Sequence, residues 1–435
     1  MRRRTAAWLA FVVLLVLAGI ALALRAATRG PREQVQATLS LAGALGGPDT
    51  AGFAHALAAR PFRFPADHGP HPDFRTEWWY FTGNLVSPEG RRFGYELTFF
   101  RSALAPRLAP RASDWATRDV YMAHFAIGDS AGGRFRAAER FERAAAGLAG
   151  ASTEPWRVWL DDWSVTSAPS AGRVEAVAPG ASGLSAGAGA GASPGAASDA
   201  RDAAPAAAGF FPLHLVARDS VGALDLALDQ VTAPVPQGEG GLSRKGPEPG
   251  NASYYYSLPR MPTSGWLEVD GRRYRVRGES WMDREWSTSG LPSDEVGWDW
   301  FGLQLSDGRS LMLYRIRRRG GGISPFSAGM LVGADGSVRP LGRADAAVDA
   351  LGSWQSPLDG TRYPAGWHVR IPSADLDLAI RPMLADQEVN VSVRYWEGAV
   401  WLTGTAAGRS LAGRGFVELT GYGPAPRPPS SPGPR

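Results

Sequence analysis

Residues 277–305 read RGESWMDREWSTSGLPSDEVGWDWFGLQL, and much of the remaining chain repeats the texture of this stretch. Apolar and polar side chains alternate around Trp298 and Trp300, as in a strand with one face turned inward. The stretch also gathers Trp281, Trp286, Trp298 and Trp300 beside Asp283, Glu285 and Asp299. Indole rings carry large apolar area, and a carboxylate among them is partly desolvated, which raises its pKa. A carboxyl group kept protonated at neutral pH can act as a general acid. The structural alternative is a Trp-rich barrel rim with ordinary surface acids, because ion pairs of purely structural role also perturb pKa.

Outward from this stretch, short strands and tight turns recur on both sides. Residues 76–85 and 92–101 form an aromatic hairpin around the turn Ser87-Pro88-Glu89-Gly90, and 120–128 add a strand that carries His124. Residues 156–164 read as a fourth strand, strands resume at Phe211, and 265–278 form a hairpin with its turn at Asp270-Gly271. Beyond Leu305 the strands 310–317, 367–371, 376–381, 389–396, 399–405 and 415–422 keep the same alternation. This predicts an all-β chain of two consecutive antiparallel barrels or sandwiches, over residues 62–264 and 265–423. Residues 168–208, rich in Ala, Gly, Ser and Pro, cannot bury enough surface to offset their ordering entropy and read as a disordered insertion.

The 435 residues include no cysteine, which removes disulfides, thiolate chemistry and Cys-ligated zinc. Net charge is +4, and Lys245 is the single lysine among 46 basic residues. Basic and acidic residues alternate without long runs, so nucleic acid is not an expected partner. Arg2, Arg3 and Arg4 precede an uncharged apolar run over residues 6–24. Such a start within residues 1–30 is either an export signal, with Ala21-Leu22-Ala23 as a cleavage site, or a membrane-spanning anchor. Either fate places the rest on the periplasmic or extracellular side of the cytoplasmic membrane. Residues 31–61 read as an Ala/Leu-rich helical spacer, and 424–435 as a disordered Pro-rich tail.

Four motifs carry a family resemblance: Glu77-Trp78-Trp79-Tyr80 with Thr82-Gly83-Asn84-Leu85; His124 within YMAHFAI; Trp281 to Trp286 as WMDREW; and Gly415 to Tyr422 as GFVELTGY. Together they resemble the family of carotenoid 1,2-hydratase (hydroxyneurosporene synthase) and the AttH-like exported proteins. The resemblance spans residues 62–423 and implies two lipocalin-like barrels. In the hydratase it implies addition of water across a terminal double bond of an acyclic carotenoid, with no cofactor. Asp283 falls where that family places its proton donor, two residues after an aromatic, here Trp281. Tyr254 and Tyr256 fall near the positions where the hydratase has a histidine and a tryptophan, a departure that keeps aromatic character but removes an imidazole. The AttH-like branch is the nearer match.

The candidate catalytic set is therefore Asp283, Trp281, Tyr254 and Tyr256, and the candidate ligand-binding set is Glu77, Trp79, His124, Trp286, Trp298 and Trp300. Glu77 could equally form a buried salt bridge with an arginine, and His124 could be a satisfied core residue. His68, His71 and Asp73 have a metal-like cadence but sit in a Pro/Gly loop with no helix to orient them, so no metal site is expected. No HExxH or P-loop pattern occurs and no GxSxG sits in a strand-to-helix nucleophile elbow, so neither hydrolase nor nucleotide chemistry has a signature. Three functions stay open: a carrier of a hydrophobic isoprenoid or lipid, a cofactor-independent hydratase or isomerase using Asp283, and an envelope partner of an exporter.

Overall fold

The computed structural model describes residues 39–40, 50–107, 113, 115–167 and 210–423. Among these, strands dominate and form two large sheets. In the first, Arg134–Arg143, Asp119–Asp129, Arg92–Ala103, Thr76–Val86, Arg272–Ser287, Ala252–Val269, Gly222–Leu228, Leu213–Asp219, Trp163–Ser167, Trp156–Leu160 and Ala149–Thr153 lie side by side in that order. In the second, Val338–Gly342, Ala328–Val332, Ser310–Arg318, Glu295–Leu305, Arg409–Thr420, Val393–Ala406, Leu376–Pro382, Trp367–Ile371 and Ala347–Ala350 do the same. Each sheet curls round its own apolar core. Trp79, Phe81, Phe99, Phe125, Leu215 and Met282 belong to the first core, and Phe301, Leu313, Trp367, Leu378, Trp396 and Val417 to the second. The result is two lipocalin-like antiparallel barrels.

Side chains alternate across a strand, so one face of Thr76–Val86 enters the first core while Trp78, Tyr80, Thr82 and Asn84 point outward. That outer face is buried as well, because the second barrel covers it. Asn84 Nδ2 donates to the Gly415 carbonyl at 2.9 Å, and Gln304 Nε2 donates to the Pro259 and Ser280 carbonyls at 3.0 Å each. At Gly94 an added Cβ would lie 2.6 Å from that of Ala399, so only glycine permits this approach of the two barrels.

Two boundaries differ from the expectation. Arg272–Ser287 pairs from end to end with Ala252–Val269, and its residues 277–287 pair with Thr76–Val86 on the other side. The change of sheet therefore falls between Ser287 and Glu295, not between 264 and 265. The cause is the tight turn at Asp270 and Gly271, both with left-handed φ (51° and 74°), which leaves its two strands no route out of one hairpin. Within residues 31–61, the described part is not helical. Leu39–Ser40 is a short strand beside Val393 and Arg394, and 50–61 is turn and extended chain. There Ala54 N donates to the Asp73 carbonyl at 2.9 Å and Tyr254 Oη to the Ala58 carbonyl at 2.9 Å, so tertiary partners replace helical ones. Residues 1–30, 168–208 and 424–435 lie outside the described residues. Among the described residues no helix is long and apolar enough to cross a membrane.

Candidate active site between the barrels

Strand register brings the chemistry together. In the first barrel Asp283 stands opposite Ser257 on one side and Tyr80 on the other, and the next row places Glu285 opposite Tyr255 and Trp78. In the second barrel Trp300 stands opposite Tyr314 and Glu418, and Glu418 opposite Glu397. These rows are on the outer faces of their barrels and look at one another. Between them lies a cavity of about 120 Å³, walled by Trp78, Phe100, Trp298 and Trp300 among others. Lys245 and the connector residues Ser289, Gly290 and Leu291, all partly exposed, form its solvent side.

Asp283 is 4% exposed and faces this cavity. Ser257 Oγ and Trp281 Nε1 donate to its Oδ1 at 2.5 and 2.7 Å, and Tyr255 Oη donates to its Oδ2 at 2.5 Å. Burial outweighs these three hydrogen bonds and, with Glu285 nearby, pushes the carboxyl up to about 7. Trp300 Nε1 in turn donates to Tyr255 Oη at 3.1 Å, and the Trp281 and Trp300 rings meet edge to face at 5.9 Å. Gly302 makes room for that pair, since a Cβ there would sit 2.4 Å from the Trp300 ring.

The other charges of the cavity are paired unevenly. Lys245 Nζ lies 3.2 Å from Glu285, donates to Ser243 Oγ at 3.0 Å and sits 4.3 Å from the Tyr314 ring centre. Burial works against its charge, but Glu285 and Tyr314 hold the ammonium above the ordinary lysine range. Glu96, Glu397 and Glu418 form a second acidic group. Burial raises all three, and repulsion by Glu96 adds to the rise at Glu397 and at Glu418, the latter to about 8, while His124, Thr98, Tyr395 and Glu397 counteract the rise at Glu96.

Of the residues singled out from the sequence, Asp283, Glu285, Trp298 and Trp300 line the cavity, and Trp281 reaches it through its bond to Asp283. The others do not line it. Tyr254, Tyr256 and Trp286 turn to the opposite face and pack with Ala56, Leu242 and Phe62. Trp79 lies in the first barrel's core, 4.0 Å from the Arg284 guanidinium. Glu77 is fully buried between Arg101 and Arg284, which hold its carboxylate well below the ordinary range despite the burial. His124 is buried behind the wall, with Nδ1 2.7 Å from Tyr395 Oη and Nε2 3.1 Å from Glu139. Asp299 points away and pairs with Arg317 at 2.9 Å. Tyr255, Ser257, Lys245, Glu96, Glu397 and Glu418 escaped sequence reasoning. No group of three or more His, Asp or Glu among the described residues is arranged to hold a metal ion.

Comparison with known proteins agrees with this architecture. The AttH-like family profile matches residues 55–422. A crystal structure of an AttH from Nitrosomonas europaea shares 31% identity with a TM-score of 0.68, covering 85% of this chain and 99% of its own. Kievitone hydratase from Nectria haematococca is similar in fold, with a TM-score of 0.58 at 14% identity over 86% of this chain and 97% of its own. No protein of curated function matches. The chain belongs to the AttH-like family.

Proposed function

We propose that the inter-barrel cavity binds one end of an apolar molecule, an isoprenoid or similar lipid, and that Asp283 protonates a carbon–carbon double bond there. The chain would then be a cofactor-independent hydratase or isomerase. The observation that carries this reading is a buried carboxyl, pushed up to about 7, facing a cavity walled by tryptophans. At neutral pH such a group keeps a proton to give. Once the proton has moved to carbon, the carboxylate left behind keeps the donors Ser257, Trp281 and Tyr255, which stabilise the charge that develops. The faces of Trp78, Trp298 and Trp300 suit the carbocation formed on the other side, an attraction of up to about 2 kcal/mol each when water is excluded.

Water then adds to the cation, or a neighbouring proton leaves it, giving hydration or isomerisation. A cavity of about 120 Å³ takes only the reacting end of a long ligand, so the remainder passes out beside Leu291 and Lys245. Kievitone hydratase places a hydration reaction on the same fold, and the carotenoid 1,2-hydratase reaction is one form of the chemistry proposed. On the strength of Arg2 to Arg4 and the apolar run 6–24, the reading locates this work outside the cytoplasmic membrane.

Solvent extraction of the protein purified from its own membranes, followed by mass spectrometry, tests the binding. A polyene or lipid should co-purify. A protein that is empty and stays empty after incubation with isoprenoid lipids overturns the reading. With the extracted ligand in heavy water, Asp283→Asn should abolish deuterium incorporation at carbon while binding persists. Unchanged incorporation removes Asp283 from the chemistry.

A further inference from the structure

Asp283 accounts for one side of the cavity only. On the other, Glu397 and Glu418 stand opposite each other on neighbouring strands, and Glu96 reaches them from the first barrel. Tyr80 Oη donates to Glu397, while Tyr395 Oη and Thr98 Oγ1 donate to Glu96 Oε1 at 3.1 and 2.9 Å. All these bonds leave two oxygens unpartnered. Glu96 Oε2 and Glu418 Oε1 accept no well-aligned N–H or hydroxyl, although Glu96 is only 1% and Glu418 only 9% exposed, and the neighbours left to these carboxyls are Glu397 beside Glu96 and Trp298 beside Glu418. Both residues line the cavity. Buried polar atoms without partners are rare in folded proteins and call for an occupant.

We propose that Glu96 and Glu418 form a hydroxyl-binding subsite, which holds the oxygen of the water to be added or of an alkyl alcohol. The inference rests on the apolar-ligand reading above and specifies its polar end. Five carboxyl groups line the cavity (Glu96, Asp283, Glu285, Glu397 and Glu418), and its one ammonium, Lys245, is already engaged by Glu285. A charged head group of either sign would therefore have to be buried with no free counter-charge. Acids held protonated by burial offer both an O–H donor and a carbonyl acceptor, whereas an ammonium can only donate. A hydroxyl both donates and accepts, and it alone matches without creating a buried charge. In hydration, the water oxygen bonds to the cationic carbon and its surplus proton returns to the Asp283 carboxylate that the first step created. One proton thus leaves Asp283 for carbon and one returns to it, while Glu96 and Glu418 keep theirs and only hold the oxygen.

Calorimetric titration of the full chain at pH 7 with octan-1-ol, octanoate and octylammonium tests this. Octanol should bind at least tenfold more tightly than either ion. In Glu418→Met, an apolar replacement of a buried acid that folds should tolerate, the preference should fall to within threefold. Octanoate or octylammonium equal to octanol, or a preference that survives Glu418→Met, overturns the proposal. Absence of binding by all three overturns the apolar-ligand reading itself, a different failure. A crystal structure separates the two sources of hydroxyl. A solvent oxygen bonded to Glu96 Oε2 and Glu418 Oε1 that octanol replaces supports both, one that persists beside bound octanol supports water alone, and an empty subsite refutes the proposal.

Discussion

Replacing Asp283 by asparagine should stabilise the protein at neutral pH while removing its proposed chemistry. A free aspartate ionises near 3.8, whereas burial holds this one at about 7. The folded state therefore binds the proton more tightly than the unfolded chain. Below 3.8 both states are protonated and the group imposes no penalty. As pH rises from 3.8 to about 7 the unfolded chain gains by ionising and the folded one does not, so stability drains away across that window. The gap corresponds to about 4 kcal/mol in all. The amide introduced by Asp283→Asn can accept from Ser257 and Trp281 and donate to Tyr255, and it has no proton to lose. Urea unfolding followed by tryptophan fluorescence, on both proteins at several pH values from 4 to 8, supplies the comparison. The stability of Asp283→Asn relative to the native chain should rise with pH and level off above about 7. A difference independent of pH would show that Asp283 ionises as a normal carboxylate, and the acid assignment would fall with it.

Glu77→Gln leaves Arg101 and Arg284, 1% and 0% exposed, without their shared counter-charge, although Arg101 keeps Asp119 at 2.7 Å. Loss of about 3–5 kcal/mol in urea unfolding is expected, with octanol affinity intact because Glu77 does not line the cavity; unchanged stability would refute a structural role. His68, stacked on Phe210 and 2.6 Å from Tyr256 Oη, is held neutral by burial and by Arg284, its pKa depressed from 6.5 to about 3. Its contribution is whole above pH 6.5 and is lost as pH falls toward 3, about 5 kcal/mol at the end of that window. His68→Gln should therefore flatten the acid limb of a stability–pH curve, and an equally steep limb would contradict the buried neutral imidazole.

The two-barrel, all-β architecture was legible because strand alternation and turn residues are local properties. Asp283 was legible because a carboxyl among tryptophans is locally conspicuous. Its partners were not, and the tyrosine run shows why. Counting back from the Asp270-Gly271 turn through an unbroken hairpin places Tyr254 and Tyr256 on the same face as Asp283. The register instead slips by one residue between Leu258 and Met261, so that Ser257 pairs with Asp283 and Tyr255 takes the face toward the cavity. Pro259, which has no N–H for the ladder, sits in the slip and was the one sequence signal of it. Glu96 and Glu397 carry no local mark at all, and Glu418, though inside the GFVELTGY motif, has nothing beside it in sequence that points to a site. They meet because barrels from distant parts of the chain pack face to face.

That packing also explains how a chain can bury so many acids and remain folded. Each barrel interior is closed mainly by its own apolar residues, and the carboxyl buried on the first barrel's core side, Glu77, is matched by Arg101 and Arg284, so the cavity's acids burden neither core. The acids stand on outer faces, where an isolated barrel would leave them in water with ordinary pKa values. Docking the second barrel removes that water and raises Asp283, Glu397 and Glu418 together. Acid strength at this site is therefore a property of the seam and not of either barrel. The connector over residues 288–294, which supplies Leu291 to the cavity and joins the two sheets, keeps the halves of the site at high effective concentration. A substitution that loosens the seam, such as a side chain at Gly94 against Ala399, would by the same argument lower the pKa of Asp283 without touching it.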